Sequence, residues 1–240
     1  MQRFFVDPTL PLEAATELTL PAGLAHQVGH VLRLRPGAHI LLLDNSGWES
    51  EVELTAFDRS AIQGRVLARR LAQEAAGPAV TLYACLLKGE KFEWMLQKAT
   101  ELGVSAVVPV ISERTVAGGT KPDRWERIVR EAAEQSRRAR LPLLHVPQSW
   151  ATAVSGAAAH DVALVPWEEA DGLIPLAPLV AQARQAARVA LLIGPEGGLT
   201  AAEVQVAAAA GVQPVSLGPR ILRAETAALA ALALLLIPTD

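Results

Sequence analysis

Val189-Ala190-Leu191-Leu192-Ile193 runs into Gly194-Pro195-Glu196-Gly197-Gly198-Leu199-Thr200, and a second such passage follows at Leu217-Gly218-Pro219-Arg220-Ile221-Leu222-Arg223-Ala224-Glu225-Thr226-Ala227. In each, a short apolar run breaks at a glycine-bearing loop and a helix-prone stretch comes next. Val189 to Ile193 has strand length and no polar alternation, as expected of a strand buried on both faces of a parallel sheet. The glycines of the first loop let a ligand approach the backbone, and Pro195 stiffens the turn. Thr200 and Glu203 have the T-x-x-E spacing of a capping box, which predicts a helix from Ala201 that ends near Gly211 with its free N–H groups toward the loop. In the second passage Val215 to Leu217 is a short strand, and Ala227 to Ile237 is helix-prone and apolar all round. A glycine-rich turn alone is more often structural than functional. Two of them, each between a strand and a helix, point to a small-molecule site at the strand ends of an α/β sheet.

Working outward, the chain changes rhythm once. Strand-like runs at Arg3 to Val6, Ala38 to Asp44, Trp48 to Phe57 and Ala61 to Ala68, with a helical piece from Leu24 to Leu34 stopped by Arg35-Pro36-Gly37, predict a compact barrel over residues 1–72. Gln73 to Pro78 reads as a linker. From residue 78 to 240 strands and helices alternate. Strands are expected at Val80 to Leu87, Val104 to Ile111, Leu143 to Val146 and Val162 to Val165. Helices are expected at Lys91 to Leu102, Pro122 to Arg140, Ala151 to Ala159 and Leu176 to Ala187. The fold class is α/β with a mainly parallel sheet.

Composition narrows the classes. The 240 residues are 51% hydrophobic and 4% aromatic, which predicts an aliphatic, globular core. The longest apolar run, Ala227 to Ile237, is short of the roughly 20 residues of a membrane span, and Met1 to Phe5 lacks the features of a signal peptide, so the expected location is cytoplasmic. Cys85 is the single cysteine and sits in an apolar run, a buried hydrophobe rather than a nucleophile. The histidines lack an acidic third ligand nearby, so no metal site is expected. A formal charge of -3 excludes an overall electrostatic grip on nucleic acid, and RNA binding requires a local patch. Candidates are Arg3, Arg33 and Arg35 in the first segment. Lys121 to Arg140 carries seven basic side chains against four acidic ones, with Arg138 and Arg140 near its end; there helix-terminal stabilisation and phosphate contact are both open.

The two loops, with Glu203, resemble the RsmE family of small-subunit ribosomal RNA uridine-N3 methyltransferases, of the SPOUT class. The likeness extends to Arg3-Phe4-Phe5-Val6, Val31-Leu32-Arg33-Leu34-Arg35-x-Gly37, Lys88-x-x-Lys91-x-Glu93, Lys98-x-x-Glu101-Leu102-Gly103, Ser112-Glu113-Arg114 and Glu134-Gln135-Ser136-x-Arg138. The resemblance implies a PUA-like barrel for RNA binding at 1–72 and a trefoil-knotted methyltransferase domain at 78–240. It also implies S-adenosyl-L-methionine as cofactor, a homodimer, and small-subunit ribosomal RNA or the assembled subunit as substrate. Implied cofactor contacts are Leu192, Ile193, Gly194, Glu196, Gly197, Leu217, Gly218, Ile221, Leu222 and Arg223. Pro166-Trp167-Glu168-Glu169 is a departure that bears on the adenosine pocket. Arg223 and Glu225 are the expected catalytic pair, Glu225 as base or as the group that orients Arg223. Two rivals remain. One is a non-catalytic RNA-binding dimer acting in ribosome assembly. The other uses Gly194 to Gly198 as a phosphate loop; the absence of G-x-x-x-x-G-K-[ST] and G-x-G-x-x-G counts against it.

Overall fold

In the computed structural model, residues 1–58, 61–73, 76–116, 119–168 and 172–237 are described. The chain divides into two compact units, Met1–Ala75 with Ala133–Leu141, and Ala76–Ala132 with Pro142–Asp240.

The first unit is a five-stranded mixed sheet of β1 (Gln2–Phe5), β2 (Glu17–Thr19), β3 (His39–Leu43), β4 (Trp48–Phe57) and β5 (Ile62–Leu71), in the order β1-β3-β4-β5-β2. Only β1 and β3 run parallel. β4 alternates buried and half-exposed residues, and its inward set, with Phe4, Leu18, Ile40, Leu42 and Val66, forms one apolar cluster. β2 is a three-residue strand without a readable pattern.

The helical piece expected at Leu24 to Leu34 is corrected in kind. An α-helix, α1 (Ala22–His26), passes into a π-turn over Gln27–Val31, and Arg33 closes it in the left-handed region at φ 54°. The wider turn seats Val28, wholly buried, with Leu24, Leu32 and Leu34 against the same cluster.

The second unit is a seven-stranded parallel sheet of β6 (Ala79–Cys85), β7 (Ala106–Ile111), β8 (Leu143–Leu144), β9 (Gln148–Ser149), β10 (Val162–Pro166), β11 (Arg188–Ile193) and β12 (Gln213–Val215). The order is β12-β10-β11-β6-β7-β8, with β9 also on β7. Central strands β6 and β11 pair from Ala79 with Arg188 to Ala84 with Ile193, and beyond their first residues they are buried on both faces apart from half-buried Thr81, as their largely apolar sequences require. The helices are α2 (Lys91–Leu102), α3 (Pro122–Gln135), α4 (Trp150–Ala157), α5 (Val180–Gln185, preceded by a 3-10 turn), α6 (Ala201–Ala209) and α7 (Ala224–Leu236). α2 packs on α7, while α4 and α6 share the core cluster that holds Tyr83, Val110, Trp150, Leu192 and Val204.

Helix α3 stops at Gln135, five residues before the expected Arg140. Arg137 turns left-handed at φ 63°, and the Arg138 N–H donates to Ala133 O at 2.9 Å, so the chain closes its own C-terminus without a glycine. Among the described residues no helix is long and apolar enough to cross a membrane.

Candidate active site

Strands β10, β11 and β12 are neighbours and parallel, so their C-terminal ends open on the same side of the sheet. Pro166 to Glu168, Ile193 to Glu196 and Ser216 to Leu222 leave those ends and line a cleft of two lobes, each about 420 Å³. One lobe is bounded by Trp167, Leu173, Leu217 to Pro219 and Ile221; the other by Lys91, Gly194, Glu196, Arg223 and Glu225. The volume suits a drug-sized ligand or cofactor.

The loop at 194–200 is held from several directions. Thr200 caps α6 through a full capping box: its side chain accepts from the Glu203 N–H, and the Glu203 carboxylate accepts from the Thr200 N–H at 2.9 Å. The other carboxylate oxygen of Glu203 accepts the Glu113 N–H at 2.8 Å, tying α6 to the turn that follows β7. Arg114 donates to Gly197 O at 3.0 Å, Trp167 Nε1 to Leu199 O at 3.3 Å and Trp150 Nε1 to Glu203 O at 3.2 Å. Two glycines of this loop are favoured, Gly194 by packing and Gly198 by its backbone conformation. A Cβ at Gly194 would stand 2.8 Å from Leu199 Cγ, and one at Gly198, whose φ is 71°, 2.5 Å from Glu168 Oε1.

Charges converge on the second lobe. Glu196 accepts the Lys88 N–H at 2.9 Å and faces Lys91 Nζ at 3.4 Å. Partial burial pushes the Glu196 carboxyl up, but the Lys88 amide and the Lys91 ammonium outweigh it and hold the group below its ordinary range. Arg223 is the N-cap residue of α7, exposed, and its guanidinium pairs with no described residue. Glu225 lies in the first turn of α7, where the helix dipole favours a carboxylate, and its Oε2 is buried without a hydrogen-bond partner. An unspent acceptor and an unpaired guanidinium lining one lobe suit removal of a proton together with stabilisation of the anion left behind.

The expected contacts Ile193, Gly194, Glu196, Leu217, Gly218, Ile221, Leu222 and Arg223 all line the cleft. Leu192 does not: strand alternation turns its side chain, fully buried, into the core beside Val165 and Val204. Gly197 is also off the cleft lining, packed 3.2 Å from Arg114 Cβ as measured from its would-be Cβ. The lining adds Lys91, Pro219 and Arg220, together with Pro166, Trp167 and Glu168 of the departing stretch; Glu169 lies outside the described residues.

Of the expected phosphate contacts, Arg33 and Arg35 are exposed. Arg3 is instead drawn into a close ion pair with Glu49, its side chain only 10% exposed, which removes it from the free surface. Arg138 and Arg140 follow the end of α3 in the first unit and both have partners; the Arg140 guanidinium lies against Gly47. Among the described residues, no group of three or more potential metal ligands comes together.

A family model of an RNA methyltransferase domain matches residues 74–236. A chain from Bacillus subtilis (strain 168) named ribosomal RNA small subunit methyltransferase E is 30% identical over 250 residues, covering 100% of this chain and 98% of its own length. This chain belongs to the RsmE family. A Synechocystis relative of the same name is 36% identical, covering 96% of this chain and 76% of that one. A crystal structure of the Neisseria gonorrhoeae methyltransferase E bound to S-adenosyl methionine superposes with a TM-score of 0.87 at 33% identity, over 97% of this chain and 95% of that one. The RsmE match thus covers both glycine loops and the cleft they line, together with the turn bearing Glu113 and Arg114 that braces the first of them.

Proposed function

We propose that this chain is an S-adenosylmethionine-dependent methyltransferase that methylates N3 of a uridine in small-subunit (16S) ribosomal RNA, acting in the cytoplasm. One observation carries the reading: Glu225, with its Oε2 buried and unpartnered, and Arg223, paired with no described residue, line the same lobe of a cleft built from the two glycine loops. The residues present fit the cofactor. Gly218 has open space where a Cβ would be, Leu217, Ile221 and Leu222 offer apolar surface to an adenine ring, and the loops expose N–H and C=O groups without demanding a counter-charge.

When bound, S-adenosylmethionine supplies an electrophilic methyl group. The chain's own residues do the rest. Uridine N3 carries a proton that must leave as the new N–C bond forms, and Glu225 Oε2 accepts it. Arg223, exposed at the N-cap, pairs with the uracil oxygen on which negative charge develops. Ile193, Gly194, Glu196, Leu217, Gly218, Ile221 and Leu222 line the site, with Glu196 kept charged and immobile by Lys88 and Lys91. The bracing of the 194–200 loop by Glu203 and Arg114 keeps these groups in place before ligand arrives.

Residues 1–72 are proposed as a PUA-like RNA-binding barrel, with Arg33, Arg35, Arg138 and Arg140 as phosphate contacts, and residues 78–240 as a trefoil-knotted SPOUT domain that works as a homodimer. The exposed setting of Arg33 and Arg35 supports the first. The insertion of β11 between β6 and β10 in the sheet order is compatible with the second. A methyl-transfer assay on unmodified 16S RNA and on small subunits, with mass-spectrometric mapping of the product, tests the whole reading. Methyl incorporation at a uridine N3 is the expected result. Tight cofactor-free RNA binding with no transfer to either substrate would instead leave a non-catalytic assembly factor.

A further inference from the structure

We propose that Glu168 makes the cleft distinguish the cationic cofactor from its neutral product, favouring S-adenosylmethionine over S-adenosylhomocysteine. This rests on the cofactor reading above. The two lobes share Pro166, Glu168, Ile221, Leu222 and Ala227, and among the described residues Glu168 is the acidic one at that shared waist.

Among the described residues, three carboxylates line the cleft. Glu196 is committed to the Lys88 N–H and to Lys91, and Glu225 lines the second lobe alone. Glu168 is exposed at the cleft and makes no hydrogen bond or ion pair with a described residue; the neighbouring cation Arg114, whose Nη1 stands 4.0 Å from the same would-be Cβ of Gly198, donates to Gly197 O instead. Its carboxylate occupies the space that a side chain at position 198 would take, 2.5 Å from a would-be Cβ on Gly198, and Gly198 therefore lets an acidic group overhang the loop.

A ligand that places its nucleoside in one lobe and presents a methyl group to the other carries its sulfur through the waist. Before transfer that sulfur is a sulfonium with a full positive charge; afterwards it is a neutral thioether of nearly the same shape. A carboxylate there that no hydrogen bond or ion pair engages attracts the first and not the second. Product release is eased by the same contact, since the attraction vanishes with the methyl group.

Isothermal titration on the full chain, wild type and Glu168→Gln, tests this with three probes: S-adenosylmethionine, S-adenosylhomocysteine, and sinefungin, whose ammonium replaces the sulfonium. Glu168→Gln should raise Kd for both cations about tenfold, the size of one partly screened charge pair at roughly 6 Å, and leave the thioether within about twofold. Glu168→Asp keeps the charge and should retain most of the preference. Parallel weakening of all three ligands, or no change in any, overturns the assignment to Glu168 while leaving the cofactor reading intact. A folded wild-type chain that binds none of the three overturns the cofactor reading itself.

Discussion

Replacing Glu203 by alanine tests how the active loop is held. The carboxylate is only 9% exposed, and its two oxygens serve three donors: the Glu113 N–H at 2.8 Å, the Thr200 N–H at 2.9 Å and the Thr200 hydroxyl at 3.1 Å. Removing it strands two backbone amides, each costing roughly 1–3 kcal/mol when left unpaired, and weakens the helix cap, worth about 1 kcal/mol. Glu113 is exposed, so water recovers part of its loss, and the lower end of the range, about 3 kcal/mol, is the working figure. For a unit of this size each kcal/mol lowers Tm by about 2–4 °C, so the transition of the parallel-sheet unit should fall by roughly 6–12 °C in scanning calorimetry. Thr200→Ala deletes the hydroxyl while sparing both amide bonds and should cost only about 1 kcal/mol. The two substitutions share a network, so their combined effect should be less than additive. A loss for Glu203→Ala no larger than that for Thr200→Ala would refute the account, because it would show that the Glu113 contact contributes nothing.

Further outcomes follow from other sites. Glu225→Gln should lower kcat by about 10²–10⁴-fold in a methyl-transfer assay, and Arg223→Ala should cut turnover while leaving cofactor Kd nearly intact; normal turnover in either variant removes its assigned role. Cys85 is 1% exposed, and burial pushes its thiol up to about 11, so alkylation at pH 8 should proceed only as fast as the protein unfolds. Asp44 is pushed up by burial, but Ser46 and Arg69 overcome this and leave its carboxyl lowered. Stability from such a group is fully present above its unfolded pKa of roughly 3.9 and is lost as pH falls through the folded value, so Asp44→Asn should destabilise the first unit at pH 7 and flatten its acid limb below about pH 4. Gly194→Ala should cost about 1–3 kcal/mol, read by chemical denaturation, because its methyl group would press on Leu199.

The parts legible in the sequence were those fixed by neighbours in the chain. The largely apolar runs of β6 and β11 announce strands buried on both faces, and Thr200 with Glu203 announces the cap and direction of α6. What stayed hidden depends on partners far along the chain or on backbone adjustments without a residue signature. The second use of Glu203 reaches 90 positions back to Glu113. The π-turn at Gln27–Val31 arises because Val28 must reach the core, and α3 ends on a left-handed arginine where a glycine would have been the readable sign. The direction of the Leu192 side chain, into the core, was hidden for a simpler reason: being next to a binding loop says nothing about which side of the strand a residue faces. Trp167 and Glu168 line the cleft although the stretch holding them departs from the family pattern.

Ile221 lines both lobes of the cleft yet is 81% exposed. Water therefore stands against a branched aliphatic group at the point proposed for the nucleoside, and docking there would release it. Ligand binding should then show a negative heat-capacity change, with a binding enthalpy that grows more favourable on warming. Ile221→Ser should shrink that temperature slope while sparing the polar contacts, separating the thermal signature of the site from its charge chemistry.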